Sequence, residues 1–338
     1  MVMITQHTED LSFPKKAKLN ILTMEGLAIF SVILVHSGTP NSIYSFFSYG
    51  LSSLIFARGY QWKAKDFKQV LSSRIQLLIT YYFAGFINTL IFLLLAPKNF
   101  ITTSKWKYFF NFLTGRLDKL SEIPINVVPL WFFLMLFFAE TLYAILYKNT
   151  YLLYIFSIFA VILRIIPHAP LPFKLDTALC SIPFFLIGKK WKEKNYDISF
   201  LTFLLSFVGL VVISQYNGDI SWNTQWFGKN GLIAFLGEIL AVLIIIYLSS
   251  VVRQLRLDSF FNKLALNSLF IISYHFLFGT LLYFPFTLVF GKINDPMPLL
   301  HKYWYIHFAL NLTLIMLAIK YLPRKIRNFL VGGFRFIK

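Results

Sequence analysis

The sequence predicts an all-α protein, a polytopic membrane helical bundle with about ten transmembrane helices. Three observations carry that prediction. Hydrophobic residues make up 57% of the 338-residue chain, with 39 Phe, 18 Tyr and 7 Trp among its residues, more apolar surface than a water-soluble domain of this size can hide. They come in runs near the roughly 20 residues that cross a bilayer as a helix. Lysine and arginine collect in the gaps, as they do where loops sort by side of a membrane.

In order, the predicted spans cover about residues 19–38, 42–60, 74–96, 127–147, 151–167, 175–188, 198–215, 229–250, 262–289 and 301–320. The first opens after Pro14, Lys15, Lys16 and Lys18, and no small-residue cleavage site marks it as a removable signal. The second ends at Lys63, Lys65 and Lys68, the fourth at Lys148, and the sixth at Lys189, Lys190, Lys192 and Lys194. The eighth ends at Arg253 and Arg256, and the tenth at a basic tail from Lys320 onward. The alternate gaps hold fewer basic residues: Lys98, Lys105, Lys107, Arg116 and Lys119 after the third span, Arg164 and Lys174 after the fifth, then Lys229, Lys292 and Lys302. This bias predicts cytoplasmic termini and an even number of spans, with basic tails 1–18 and 321–338 flanking a membrane domain of residues 19–320. The sixth run is short and holds Pro183; the ninth is long, and its Gly279 and Pro285 allow a kink.

The formal charge of +18 rests on only 14% charged residues. Spread between apolar runs, the basic residues read as anchors to anionic lipid headgroups rather than as a nucleic-acid surface. A single Cys180 excludes an intrachain disulfide and a cysteine metal cluster. No phosphate loop, dinucleotide loop or HExxH motif is present, and no grouping of histidines and carboxylates predicts a metal.

Ionisable groups inside spans are costly and point to function or to pairing. Glu25 and His36 lie eleven residues apart in LNILTMEGLAIFSVILVHSG, so they differ by about 20° around a helix and roughly 16 Å along it. They share a face without touching. His36, towards the outer end, reads either as a general base for an extracytoplasmic hydroxyl or as a neutral histidine tying two helices. Glu25, near the inner end, suits a helix start or an ion pair. Arg58 lies at similar depth and reads as a partner for Glu25, an interfacial anchor or an anion contact. Glu140 and Glu238 lie deep in their spans, where a carboxylate is paired, hydrogen-bonded or protonated. His275 is near mid-membrane in the ninth run, after Asn267 and Ser273. His307 and Asn311 form an i, i+4 pair able to share a face. A cavity lined by His36, His275 and His307 is one arrangement of these groups.

Several segments, in order from about Asn20 to Gly279, resemble the integral-membrane acyltransferase-3 family, especially its fucose 4-O-acetylase-like branch. They are EGLAIFSVILVHSG, LIFARGY, FKQVLSSRIQLLITYYFAGFI, VPLWFFLMLFFAE, DTALCSIPFFLIGKK and LALNSLFIISYHFLFG. The resemblance implies about ten spans and an O-acyltransferase, with acetyl-CoA or another acyl-CoA as donor substrate and no permanently bound cofactor. The acceptor it implies is a surface glycan, exopolysaccharide or lipid-linked sugar at a bacterial cell membrane. It places His36 as the catalytic histidine and Arg74 on the family's arginine; read with it, Arg58 and Arg74 orient the donor, His275 and Glu140 support the buried path, and the polar residues Glu238, Asn267 and His307 of the spans are further cavity candidates. Two positions depart from the pattern: Glu25 stands where the family commonly has Arg or Lys, and Arg58 where serine is common. Arg58 restores the positive charge from the neighbouring helix in this reading. The competing classes are a transporter for a lipid or glycan carrier, with Glu140 and Glu238 coupled to protons, and a non-catalytic component of polysaccharide assembly.

Overall fold

A computed structural model describes residues 14–63, 66–95, 105–119, 122–166, 168–290 and 302–333. The helices are α1 (Ile21–Val35), α2 (Asn41–Ser48), α3 (Ser52–Tyr60), α4 (Phe67–Leu95), α5 (Lys105–Leu113), α6 (Trp131–Leu146) and α7 (Thr150–Leu163). They continue as α8 (Leu175–Lys194), α9 (Phe200–Asn217), α10 (Gly231–Gln254), α11 (Asp258–Leu266), α12 (Ser268–Phe290), α13 (Trp304–Tyr321) and α14 (Arg324–Leu330). Extended pairing is confined, among the described residues, to β1 (Lys16–Ala17) against β2 (Ile198–Ser199) and an isolated bridge between Ser221 and Trp226. The fold is all-α.

Every predicted run is helical, but not every run makes a full span. Among the described residues five helical segments are long and apolar enough to cross a membrane: Phe67–Leu94, Ile125–Leu146, Phe200–Asn217, Gly231–Gln254 and Trp304–Tyr321. A sixth is reached if α11 and α12 count as one bent span. The shortfall has physical causes. α1 and α7 have 15 and 14 residues, a rise of about 21 to 23 Å against a hydrocarbon core of roughly 30 Å. The second run is divided by a 3₁₀ turn, Tyr49–Leu51, into α2 and α3. The apolar part of α8 gives way to four lysines, although Pro183 stays inside the helix without ending it.

The ninth run bends elsewhere than its glycine and proline suggest. α11 and α12 meet at 88° at Asn267, while α12 runs on through Gly279. Asn267 ends α11 because its side-chain nitrogen donates to the Lys263 carbonyl at 2.8 Å, satisfying an acceptor that a continuing helix would have used. Other helix starts follow short polar caps in the sequence: Asn20, Asn149, Ser199 and Asn230 each accept from an amide in the first turn of α1, α7, α9 and α10.

Small residues bring helix backbones into contact. A Cβ on Gly59 of α3 would strike the Phe185 carbonyl of α8, and one on Gly188 of α8 would strike the Phe56 carbonyl of α3. Gly26 meets the Phe261 carbonyl of α11 in the same way. Such approaches are how helices pack where no hydrophobic force drives them together. Gly59→Leu is expected to lower stability by at least about 1–3 kcal/mol, read as an earlier thermal unfolding in detergent. Gly50→Ala is the control: its Cβ would lie 3.6 Å from the nearest side chain, so unchanged unfolding is expected there.

The outer faces are apolar. Leu201, Leu204, Leu205, Val208 and Val212 form an exposed stripe along α9, and Ile155, Ile158 and Ile162 do so on α7. Stripes of this extent suit hydrocarbon rather than water. The residues beyond α13 fold back, with the Tyr274 hydroxyl donating to the Leu330 carbonyl at 2.6 Å. Residues 1–13 and 334–338 of the two predicted tails lie outside the described residues.

Candidate functional site

The ends of α1 and α2, the segment leading into α6, the loop after α9, and α12 and α13 enclose a cavity of about 960 Å³, a size suited to a small-molecule site. Val32, Leu54, Phe92, Phe132 and Leu277 give it an apolar lining; Tyr44, Ser48, Asn126, Asp219 and Thr224 add polar groups. His36, His275 and His307 all line it. The three-histidine arrangement read from the sequence is therefore the one the fold builds.

His36 closes the last turn of α1, where its amide donates to the Val32 carbonyl at 3.2 Å, and it is exposed to the cavity. His275, two turns past the elbow on α12, is buried at 1% exposure. His36 Nδ1 lies 3.0 Å from His275 Nε2, and His275 Nδ1 lies 2.9 Å from the Ile271 carbonyl. A carbonyl only accepts. In the neutral pair, His275 Nδ1 therefore carries its proton and Nε2 its lone pair, so the proton between the rings belongs to His36 Nδ1. His36 Nε2 is left as a base on the accessible ring. His307 donates from Nε2 to the Gly279 carbonyl at 3.2 Å, and Asn311 shares its Gly279-facing side.

The remaining predicted residues separate from this cavity. Glu140, buried at 1% exposure, forms an ion pair with Arg74, tying α6 to α4; it does not line the histidine cavity. Arg74 and Arg58 line a second pocket of about 100 Å³ with Gln61, Trp62 and Lys63. A direct Glu25–Arg58 ion pair, one of the readings open for Arg58, does not form among the described residues, although the guanidinium is near enough to act on the carboxylate. Gln61 takes the carboxylate instead, donating from Nε2 to Glu25 Oε1 at 3.0 Å. Asn267 is spent on the elbow and stands outside the cavity.

Glu238 is also outside it. It pairs with Arg164, and both side chains are fully buried. The guanidinium further donates to the Cys180 carbonyl at 3.1 Å and faces the rings of Trp222 and Phe227 at 4.5 and 4.6 Å. In the sequence Arg164 counts with the outer basic residues although it lies at the end of the fifth run; a lone arginine there was the only signal of its burial. Asn126 was missed as well. Its side chain lines the cavity and meets the Thr280 hydroxyl at 3.1 Å, a hydroxyl that also donates to the Phe276 carbonyl at 2.8 Å.

The loop after α9 roofs the cavity and is pinned from several sides. Lys174 Nζ donates to the Asn223 carbonyl at 2.7 Å and to Asp118 at 3.1 Å, and Asn223 Nδ2 donates to the Leu117 carbonyl at 2.7 Å. Burial pushes the Asp118 carboxyl up, but Lys174 and Arg116 outweigh it and hold the group below the usual carboxylate range. Trp222 both lines the cavity and covers Arg164, so the sealed ion pair supports the roof. No family model, curated protein or solved structure matches the chain.

Proposed function

We propose that the protein is a membrane O-acyltransferase, moving an acyl group, acetyl in the simplest case, from acyl-CoA to a hydroxyl of a surface glycan, exopolysaccharide or lipid-linked sugar in a bacterial cell membrane. The observation that supports it is the His36–His275 pair, which leaves a base in a cavity large enough for an acceptor. As the acceptor oxygen attacks the thioester carbonyl, His36 Nε2 takes the hydroxyl proton. The C–O bond forms, the C–S bond breaks, and the imidazolium returns its proton to the departing thiolate. His275 keeps the His36 ring oriented through Nδ1. In this reading Asn126, which lines the same cavity, turns its amide to the carbonyl oxygen as its charge develops.

In this reading the ten helical runs are ten spans, the shorter ones accommodated by local thinning of the bilayer, with both termini cytoplasmic. Arg58, Arg74 and Lys63 then face the cytoplasm, where their charge suits donor phosphates, and Glu140 holds Arg74 in place. The elbow at Asn267 favours a second reading, a carrier for a lipid-linked glycan, because carriers build sites around broken helices. Purified protein given labelled acetyl-CoA and glycan separates the two. Covalent, base-labile label on the glycan is expected; glycan movement across a vesicle membrane with no new ester would sink the transferase and support the carrier.

A further inference from the structure

Among the described residues no lysine or arginine lines the histidine cavity, and one carboxylate does: Asp219. Both neighbours of Asp219 are fixed by the main chain. The Tyr49 hydroxyl donates to the Gly218 carbonyl at 2.9 Å, and the Ile220 amide donates to Ser48 Oγ at 3.2 Å. The carboxylate itself is half-buried and engages no hydrogen-bond donor or cation among the described residues. Tyr44 and Ser48, on α2, line the cavity with it, as do the rings of Trp131 and Trp222. A carboxylate held on fixed backbone, without a partner, beside hydroxyls and flat aromatic faces is arranged to receive something from outside the chain.

Resting on the transferase reading above, we infer that Asp219 sets acceptor specificity: the cavity admits a neutral or amine-bearing polyol and excludes an anionic one. A carboxylate accepts two hydroxyls of one sugar side by side, or one ammonium. A second negative charge brought into the same partly dry space is disfavoured by roughly tenfold to a hundredfold in affinity. The same repulsion keeps the donor's phosphates out of this cavity and leaves them to the pocket of Arg58 and Arg74. Charge thus divides the two substrates between the two pockets.

The test reads binding without donor, so that it stands apart from ester formation. Ligand-observed NMR on detergent-solubilised protein would compare a neutral methyl hexoside, its amino counterpart and its uronate. Wild type is expected to bind the amino and neutral glycosides and to bind the uronate at least tenfold more weakly. Asp219→Asn, which keeps size and shape, is expected to strengthen uronate binding about tenfold or more and to weaken the amino glycoside by a similar factor. Uronate binding equal to that of the neutral glycoside, absence of binding by all three, or an unchanged order in Asp219→Asn overturns the inference. An absent ester in the labelled-donor assay, with the charge order intact, overturns the transferase reading alone.

Discussion

His36→Ala is expected to lower the rate of acyl transfer by about 10²- to 10⁴-fold, the contribution of a positioned proton-transfer group, with acceptor binding little changed. Initial rates of label transfer from acetyl-CoA measure it, and wild-type rates in this variant would remove His36 from the chemistry. The geometry adds a graded companion. His275 acts on His36 by accepting its Nδ1 proton at 3.0 Å, so His275→Gln, whose amide oxygen still accepts, is expected to keep more activity than His275→Leu. Loss of activity to the same extent in both would show that His275 supports the cavity wall rather than the orientation of the base.

Removing one partner of the Arg164–Glu238 pair is expected to destabilise the protein by about 3–5 kcal/mol, because the charge left behind is buried and unpaired. Both side chains are fully buried, so water offers no substitute. Glu238→Leu leaves a guanidinium among Trp222, Phe227 and Phe184, where ring faces compensate only in part. The double variant Arg164→Met with Glu238→Leu is expected to recover most of the loss, as replacement of a whole buried pair by apolar groups often does. Thermal unfolding of the two single variants and the double decides it. Single variants as stable as wild type would mean that the pair is not closed off from water.

Much of this organisation was legible in the residues. Period and composition located each helical run, since an apolar helix surface must be written into the sequence wherever lipid or a neighbouring helix covers it. His36, His275 and His307 could be nominated for one cavity because a polar ring in an apolar run needs a reason. Their order around the bundle was not written there, and neither was the Gln61 side chain that reaches Glu25, since contact across helices depends on how they pack. Glu238 and Arg164 were each visible as odd residues, but a pairing between positions so distant in the chain is a property of packing. Asn267 was noticed as polar, yet its use against the Lys263 carbonyl at 2.8 Å, which turns the chain by 88°, follows from local competition for a backbone acceptor. The nearby glycine and proline were the more visible suspects.

That elbow also sets a distance. α11 is pressed onto α1 where Gly26 meets Phe261, so the start of α12 is measured from the same helix that carries His36. Two turns then bring His275 round to it. Deleting one residue between Asn267 and His275 would swing the second imidazole through about 100° and retract it by about 1.5 Å, parting the rings and turning the buried face of α12 with them. The spacing between corner and histidine therefore behaves like a ruler: sequence can drift on either side of it, but its length cannot.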